Sequence, residues 1–246
     1  MSSLQNRTVL ITGGATGIGL AFAKALVERD NQVIICGRNA AKLEESKAVV
    51  PELIAYTCDI TQSESRAKLL QQLQLNHPKL DVLFNNAGMQ VPRDFLSGMK
   101  VDGIEDEVTV NFTAPIQMIA TLLPLLLKQE KALIANVTSG LAFAPLARIP
   151  VYCATKAAMH SFSMTLRHQL SSTNVSVIEV APPMVETELR NTNTEREPGK
   201  PPMLTAEEFV IQAIQQIEEG KPEVLVGMAA GLRAQGEGLF SRMNRS

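Results

Sequence analysis

The sequence predicts an α/β fold: one Rossmann-type, doubly wound parallel sheet of about seven strands, with helices on both faces. Three observations carry that expectation. Short, continuously apolar runs recur along the chain, separated by amphipathic stretches of helical length, as in strands buried on both faces. Aliphatic residues and alanine dominate, while aromatics make up only 4% and tryptophan is absent, which suits helix-covered parallel strands. The first apolar run also opens directly into a glycine-rich turn and then a helix.

That first unit sets the pattern. Thr8 to Thr12 reads as a strand, and Thr12-Gly13-Gly14-Ala15-Thr16-Gly17-Ile18-Gly19 as the turn. The following helix places Ile18, Phe22, Ala25 and Leu26 on one face. Strand, glycine turn and helix in this order form a dinucleotide site. One glycine makes the tight turn, another lets backbone N–H groups approach a pyrophosphate, and a third allows the helix to pack closely on the sheet.

Further strands are expected at Gln32 to Gly37, Leu53 to Cys58, Val82 to Asn85, Ala132 to Ser139, Val175 to Ala181 and Glu223 to Val226. Helices fill the gaps through right-handed crossovers. Pro115 lies four residues after Asn111 in a helical pattern and removes the N–H that the Asn111 carbonyl would bind. A kink is expected there, with the freed carbonyl reaching Lys156 through one water. From Arg190 to Pro202 the composition turns to Asn, Pro and Gly, which resists regular structure. A substrate lid over 188–204 is expected, within one domain spanning 1–246. The tail after Val226 carries Gly227, Gly231, Gly236 and Gly238 and announces no element.

Composition narrows the function classes. A net charge of −2 offers no electrostatic footprint for nucleic acid or anionic lipid. Cys36, Cys58 and Cys153 are odd in number and lack metal-type spacing, so reduced, buried thiols in a cytoplasmic protein are expected and no metal site. Met1 to Arg7 has no hydrophobic signal core. The apolar segment from Met118 to Leu127 is short for a bilayer span and contains Pro124, so no membrane insertion is expected.

Chemistry concentrates around Tyr152 and Lys156, four residues apart in a helical stretch and therefore on one face. A phenol alone titrates near ~10, and a fixed cation beside it favours the phenolate. The pair makes a proton donor and acceptor for alcohol and carbonyl chemistry. Ser139 ends an apolar strand and so delivers a hydroxyl to the sheet's carboxyl edge, where open α/β folds bind ligands. His160 follows Lys156 by one turn but has no acidic partner at a suitable sequence spacing, which reads as a packed or interfacial residue.

Gly13, Gly17 and Gly19 do not form the common Gly-x-Gly-x-x-Gly fingerprint. They match the Thr-Gly-x-x-x-Gly-x-Gly pattern of the short-chain dehydrogenase/reductase family. The same family order continues with Asn85-Asn86-Ala87-Gly88, then Asn111, Ser139, Tyr152-x-x-x-Lys156 and Pro182-Pro183-Met184-Val185-Glu186-Thr187. The resemblance covers the chain to about Thr187. Val33 to Asn39, Thr138 to Phe143 and Pro150 to Ala158 further resemble its DltE-like bacterial branch.

The resemblance implies roles for individual residues. Tyr152 would exchange the proton of the reacting oxygen. Lys156 would lower the phenol's pKa and hold the nicotinamide ribose. Ser139 would hydrogen-bond the substrate oxygen, and Asn111 would position a relay water. Thr12, Gly13, Thr16, Gly17, Ile18 and Gly19 would frame the pyrophosphate. Asn86 and Gly88 would line the channel, Val185 and Thr187 would face the carboxamide, and Asp59 with Ile60 would meet the adenine. Asp59 reads equally as a helix N-cap for the segment from Gln62. Pro183 stands where the family usually has glycine, restricting the backbone beside the nicotinamide contact.

The second strand ends in Gly37-Arg38-Asn39, with no acid to accept from a ribose 2′-hydroxyl. Arg38, beside Asn39, should bind a 2′-phosphate, so NADP(H) is preferred and NAD(H) possible. The expected activity is hydride transfer between nicotinamide and a carbonyl or secondary alcohol. Met89, Leu141, Phe143, Met184 and Met203, with Gln90 and Arg93 as polar exceptions, suggest a small, largely uncharged substrate. The rival reading is a non-catalytic cofactor sensor or scaffold on the same fold. The helices carrying Asn111 to Leu127 and starting near Tyr152 are apolar around much of their circumference, which predicts a homodimer or homotetramer.

Overall fold

A computed structural model of the chain describes residues 3–97, 102–187 and 203–245. Seven parallel strands form one sheet in the order β3-β2-β1-β4-β5-β6-β7. They are β1 (Thr8–Thr12), β2 (Gln32–Gly37), β3 (Ile54–Thr57), β4 (Val82–Asn85), β5 (Ala132–Val137), β6 (Val175–Ala181) and β7 (Glu223–Leu225). Every expected strand is present. Those at Ala132 and Glu223 are trimmed by two residues and by one where the chain leaves the ladder toward the ligand edge, and that at Leu53 by one residue at each end.

The crossovers carry α1 (Gly17–Val27), α2 (Ala40–Val49), α3 (Ser63–Asn76), α4 (Ile104–Val108), α5 (Ala114–Leu126), α6 (Pro150–Gln169) and α7 (Ala206–Glu218). The tail that the sequence left open forms α8 (Met228–Gln235), a 3₁₀ turn and α9 (Phe240–Met243). Because side chains alternate along each strand, Val9, Ile11, Val82 and Phe84 enter one core with α1 and α7. Leu10, Leu83 and Ile134 enter the other with α3, α5 and α6. Phe22 anchors the first, its ring centre 4.9 Å from Phe84 and 6.1 Å from Phe209.

The disturbance expected at Pro115 takes the form of a π turn. Residues Thr109–Thr113 link α4 to α5 with the Ala114 N–H bonded to the Thr109 carbonyl, so the helix continues through a register change. The apolar helix is consequently longer than its sequence suggested, a 23-residue run over Ile104–Leu126. Met118, Ile119, Leu122, Leu125 and Leu126 pack into the sheet core, which accounts for much of its apolarity. Leu127 and Met164 remain exposed just beyond α5 and on α6. The expected lid lies outside the described residues except for its end, where Leu204 bridges Val185 and accepts from the Glu186 N–H at 3.0 Å.

Candidate active site

Strand order reverses between β1 and β4, and the carboxyl ends there open into a cleft of about 560 Å³. One end holds the glycine turn. Gly13 and Gly17 adopt left-handed φ angles of +62° and +54°. A side chain at Gly13 would also strike Ala87, 2.9 Å away at its Cα. Gly13, Thr16, Gly17, Ile18, Asn86 and Gly88 line the cleft, and α1 presents its N-terminus there.

Thr12 and Gly19 stand behind that surface rather than on it. Thr12 is 1% exposed, and its hydroxyl accepts from the Asn86 and Ala87 N–H groups at 3.0 and 3.1 Å. The Asn86 amide donates back to the Thr12 and Gly13 carbonyls at 3.0 and 3.1 Å. Thr12 therefore fastens the turn to β4. A methyl group at Gly19 would collide with the Gly13 carbonyl, so this glycine serves the close packing of α1.

At the far end, Arg38 is exposed and has no protein partner among the described residues. Asn39 also lines this end, its Oδ1 accepting from the Lys42 N–H at 3.2 Å as the N-cap of α2. Lys42 also lines this end, a second basic residue that the sequence reading missed. Asp59 and Ile60 line it too. Asp59 is not the cap of α3, a position held by Gln62; its Oδ1 accepts from the Thr61 N–H and hydroxyl at 2.9 and 2.7 Å. Cys36 and Cys58 are buried as expected, yet side by side: their shared hydrogen bond pushes the Cys36 thiol up and draws Cys58 down to about 7.

The reacting end collects Ser139 from the end of β5 and Tyr152 and Lys156 from α6. Ser139 Oγ accepts from the Leu141 N–H at 3.1 Å, which fixes the hydroxyl at the head of the 3₁₀ turn Gly140–Ala142. The Lys156 ammonium donates to the Val137 carbonyl at 2.9 Å and lies 5.6 Å from the centre of the Tyr152 ring. Burial dominates both titrations. It pushes the phenol up to about 12, against a hydrogen bond with Ser139 that pulls it down. It pulls the ammonium down to about 8, against the charge of Glu179 that holds it up. The expected lowering of the phenol by Lys156 is not found: burial raises the phenol, and the group that lowers it is Ser139.

Asn111 is 1% exposed, and its side chain bonds Met89 and Thr155. A methyl group at Gly88 would sit 3.3 Å from its Oδ1 and 3.6 Å from Lys156 Nζ, which places both groups around one glycine. Val185 and Thr187 line the cleft, Thr187 facing Gly17. Pro183 also lines it, while the Pro182 carbonyl accepts from the Gly140 N–H at 2.9 Å.

Of the expected pocket residues, Met89, Gln90, Leu141 and Met184 line the cleft. Phe143 is turned away, its ring 4.9 Å from His160. Met203 lies outside the lining, and Arg93 is buried in an ion pair with Glu107 at 3.1 Å rather than facing a ligand. Leu232 of α8 is the wall residue that the sequence did not announce; a methyl group at Gly140 would press against it at 2.8 Å. His160 does have an acidic partner, Glu179 of β6, at 2.6 Å.

A glycine turn facing a Ser-Tyr-Lys cluster across one cleft defines the class of nicotinamide-dependent oxidoreductases. The short chain dehydrogenase family matches residues 7–198, and the chain belongs to it. It is similar to an uncharacterized oxidoreductase, DltE, of Bacillus subtilis (strain 168), at 46% identity over 248 residues covering 98% of each chain. A short chain dehydrogenase of Burkholderia cenocepacia J2315, solved in complex with NADP, shares 26% identity and a TM-score of 0.80 over 95% of this chain and 94% of its own. A family member from Burkholderia phymatum, solved with NAD, shares the fold at a TM-score of 0.83 and 22% identity, covering 95% and 94%.

Proposed function

We propose that the protein is an NADP(H)-preferring oxidoreductase that interconverts a small, largely uncharged carbonyl compound and its secondary alcohol. The observation that carries this reading is the placement of Tyr152, Ser139 and Lys156 in the cleft that has the glycine turn and Arg38 at its other end. The cradle fits a dinucleotide. Gly13 and Gly17 remove side chains from the turn, the α1 N-terminus offers free N–H groups, and Arg38 and Lys42 offer positive charge where β2 ends.

Bound nicotinamide supplies or accepts the hydride. Tyr152 keeps its proton at neutral pH, which is the state that donates to the oxygen of a carbonyl under reduction. Ser139 steadies the charge developing on that oxygen and also draws the Tyr152 phenol down, against its burial. Lys156 would hold the ribose hydroxyls and stabilise the phenolate left after proton transfer. The Asn111 carbonyl, beside the π turn, would hold a water that reprotonates this group. Met89, Leu141, Met184 and Leu232 give the substrate side its apolar character.

The test is loss of NADPH absorbance on mixing with a panel of uncharged aldehydes and ketones. Saturable oxidation by some of them supports the reading. Tight NADPH binding without turnover across a broad panel would favour a cofactor-binding role instead.

A further inference from the structure

The substrate end of the cleft is walled by chain from the far end of the sequence. Gly140 directly follows Ser139, and its missing side chain is what lets α8 approach: a methyl group there would lie 2.8 Å from Leu232 Cδ1 and 3.4 Å from the Ala229 Cα. Ala229 is fully buried, whereas Leu232, three residues on, is half-buried and lines the cleft. The leucine therefore stands against the residue next to the hydroxyl that is to meet the substrate oxygen.

α8 is held in that place by bonds on either side of the contact. Arg233, the next residue, bonds both Glu223 oxygens at 3.0 and 3.2 Å and so ties the helix to β7. Its guanidinium carbon also lies 5.0 Å from the centre of the Phe143 ring. Beyond α9, the Asn244 Oδ1 accepts from the Ala147 N–H at 2.6 Å, and its Nδ2 donates to the Pro145 carbonyl at 3.1 Å. The tail thus grips the segment between Ser139 and α6 at Gly140, Phe143, Pro145 and Ala147. A side chain on an element fixed in this way keeps its place against a ligand.

The surroundings of Leu232 are apolar. Among the described lining residues, Lys156 is the one charge at this end of the cleft, since Arg38, Lys42 and Asp59 lie at the other. Leu141, Met184 and Leu232 form the apolar surface that a substituent on the reacting carbon would touch. A carbonyl whose oxygen meets Ser139 carries its nearest substituent carbon beside Gly140, and there Leu232 already fills the gap that the glycine leaves.

We propose that Leu232 is a specificity-determining residue: its δ-methyl groups bound the space beside Ser139, so that unbranched alkyl substituents on the carbonyl carbon enter and those branched next to it are excluded. The substrate class is then an unbranched alkyl ketone or its alcohol. The inference rests on the reading that Ser139 and Tyr152 hold a carbonyl oxygen.

The experiment is an NMR titration of the dinucleotide-saturated protein with two unreactive primary amides, isosteres of methyl ketones, read from the ¹³C-methyl signals of Met89 and Met184, which line the cleft. The unsubstituted protein should bind propanamide more tightly than the branched pivalamide. Leu232→Ala should move the ratio of the two affinities toward pivalamide by about tenfold or more, the scale on which a methylene group in an apolar pocket discriminates. Leu232→Phe should move it the other way, and if one variant does not fold the other decides. A role confined to packing α8 would scale both amides alike. A ratio unmoved in the folded variants, a parent protein that prefers pivalamide, or one that binds neither amide overturns the inference. The same shift should appear in kcat/KM for butanone against pinacolone. If the amides behave as stated and no ketone is reduced, the proposed reaction fails while Leu232 keeps its part as the wall.

Discussion

Asn111 and Met89 hold each other by a two-point amide pair. The Asn111 Oδ1 accepts from the Met89 N–H at 2.8 Å, and its Nδ2 donates to the Met89 carbonyl at 2.8 Å. A third bond, from Nδ2 to Thr155 Oγ1 at 3.1 Å, fastens this pair to α6 one residue before Lys156. The side chain thus sets the distance between the cleft wall and the catalytic helix. Asn111→Leu removes all three bonds and should lower kcat for carbonyl reduction by about a hundredfold, the scale of a small misplacement at a reacting centre. Asn111→Asp keeps the acceptor and should fall between; steady-state kinetics on both variants checks the order.

Arg93 and Glu107 make a buried pair, with side chains 3% and 0% exposed. The guanidinium also bonds the Asp102 and Gly103 carbonyls, and Glu107 accepts from the Val91 N–H. Arg93→Met would leave the carboxylate buried without its cation, a loss of about 3–5 kcal/mol. A fall in the thermal midpoint of roughly 6–20 °C should follow. An unchanged midpoint would show that Glu107 finds another partner or takes up a proton.

These two pairs mark the boundary of what the sequence made legible. Strands, the glycine turn and the Tyr152–Lys156 pair depend on local period and spacing, so they could be read directly. Arg93–Glu107 and His160–Glu179 depend on which segments the sheet order brings together, and no residue spacing encodes that. Thr12 was readable as part of the turn, but its inward hydroxyl became apparent only with the end of β4 beside it. Lys42 and Leu232 stayed hidden for the same reason: one sits a helical turn beyond Arg38, the other in a glycine-rich tail whose helix forms against the 3₁₀ turn after Ser139.

Arg38 stands without a partner among the described residues at the end of β2, where a 2′-phosphate would reach it. A charge-assisted contact contributes about 1.5–3 kcal/mol. Arg38→Ala should weaken NADPH binding about ten- to a hundredfold and leave NADH within a few fold. Titration by cofactor fluorescence reads both. Equal losses for the two cofactors would remove the assigned role.

The pH profile follows from Lys156. Its ammonium is pulled down to about 8, so it is present below that pH and lost as pH rises through it. Carbonyl reduction should accordingly be steady through neutrality and decline above about pH 8, measured as kcat/KM for a fixed substrate. Lys156→Arg keeps the positive charge, and any residual activity should lack this alkaline limb.

The central claim is that Tyr152 transfers the proton. Tyr152→Phe retains the ring and its packing in a pocket where the residue is 6% exposed, and deletes only the hydroxyl. The most direct measurement is single-turnover oxidation of bound NADPH by a carbonyl substrate that the parent protein reduces, with NADPH affinity measured in parallel. The account predicts at least a hundredfold slower oxidation with affinity unchanged within a few fold, in keeping with the loss of a general acid. Near-parental oxidation by Tyr152→Phe would contradict it.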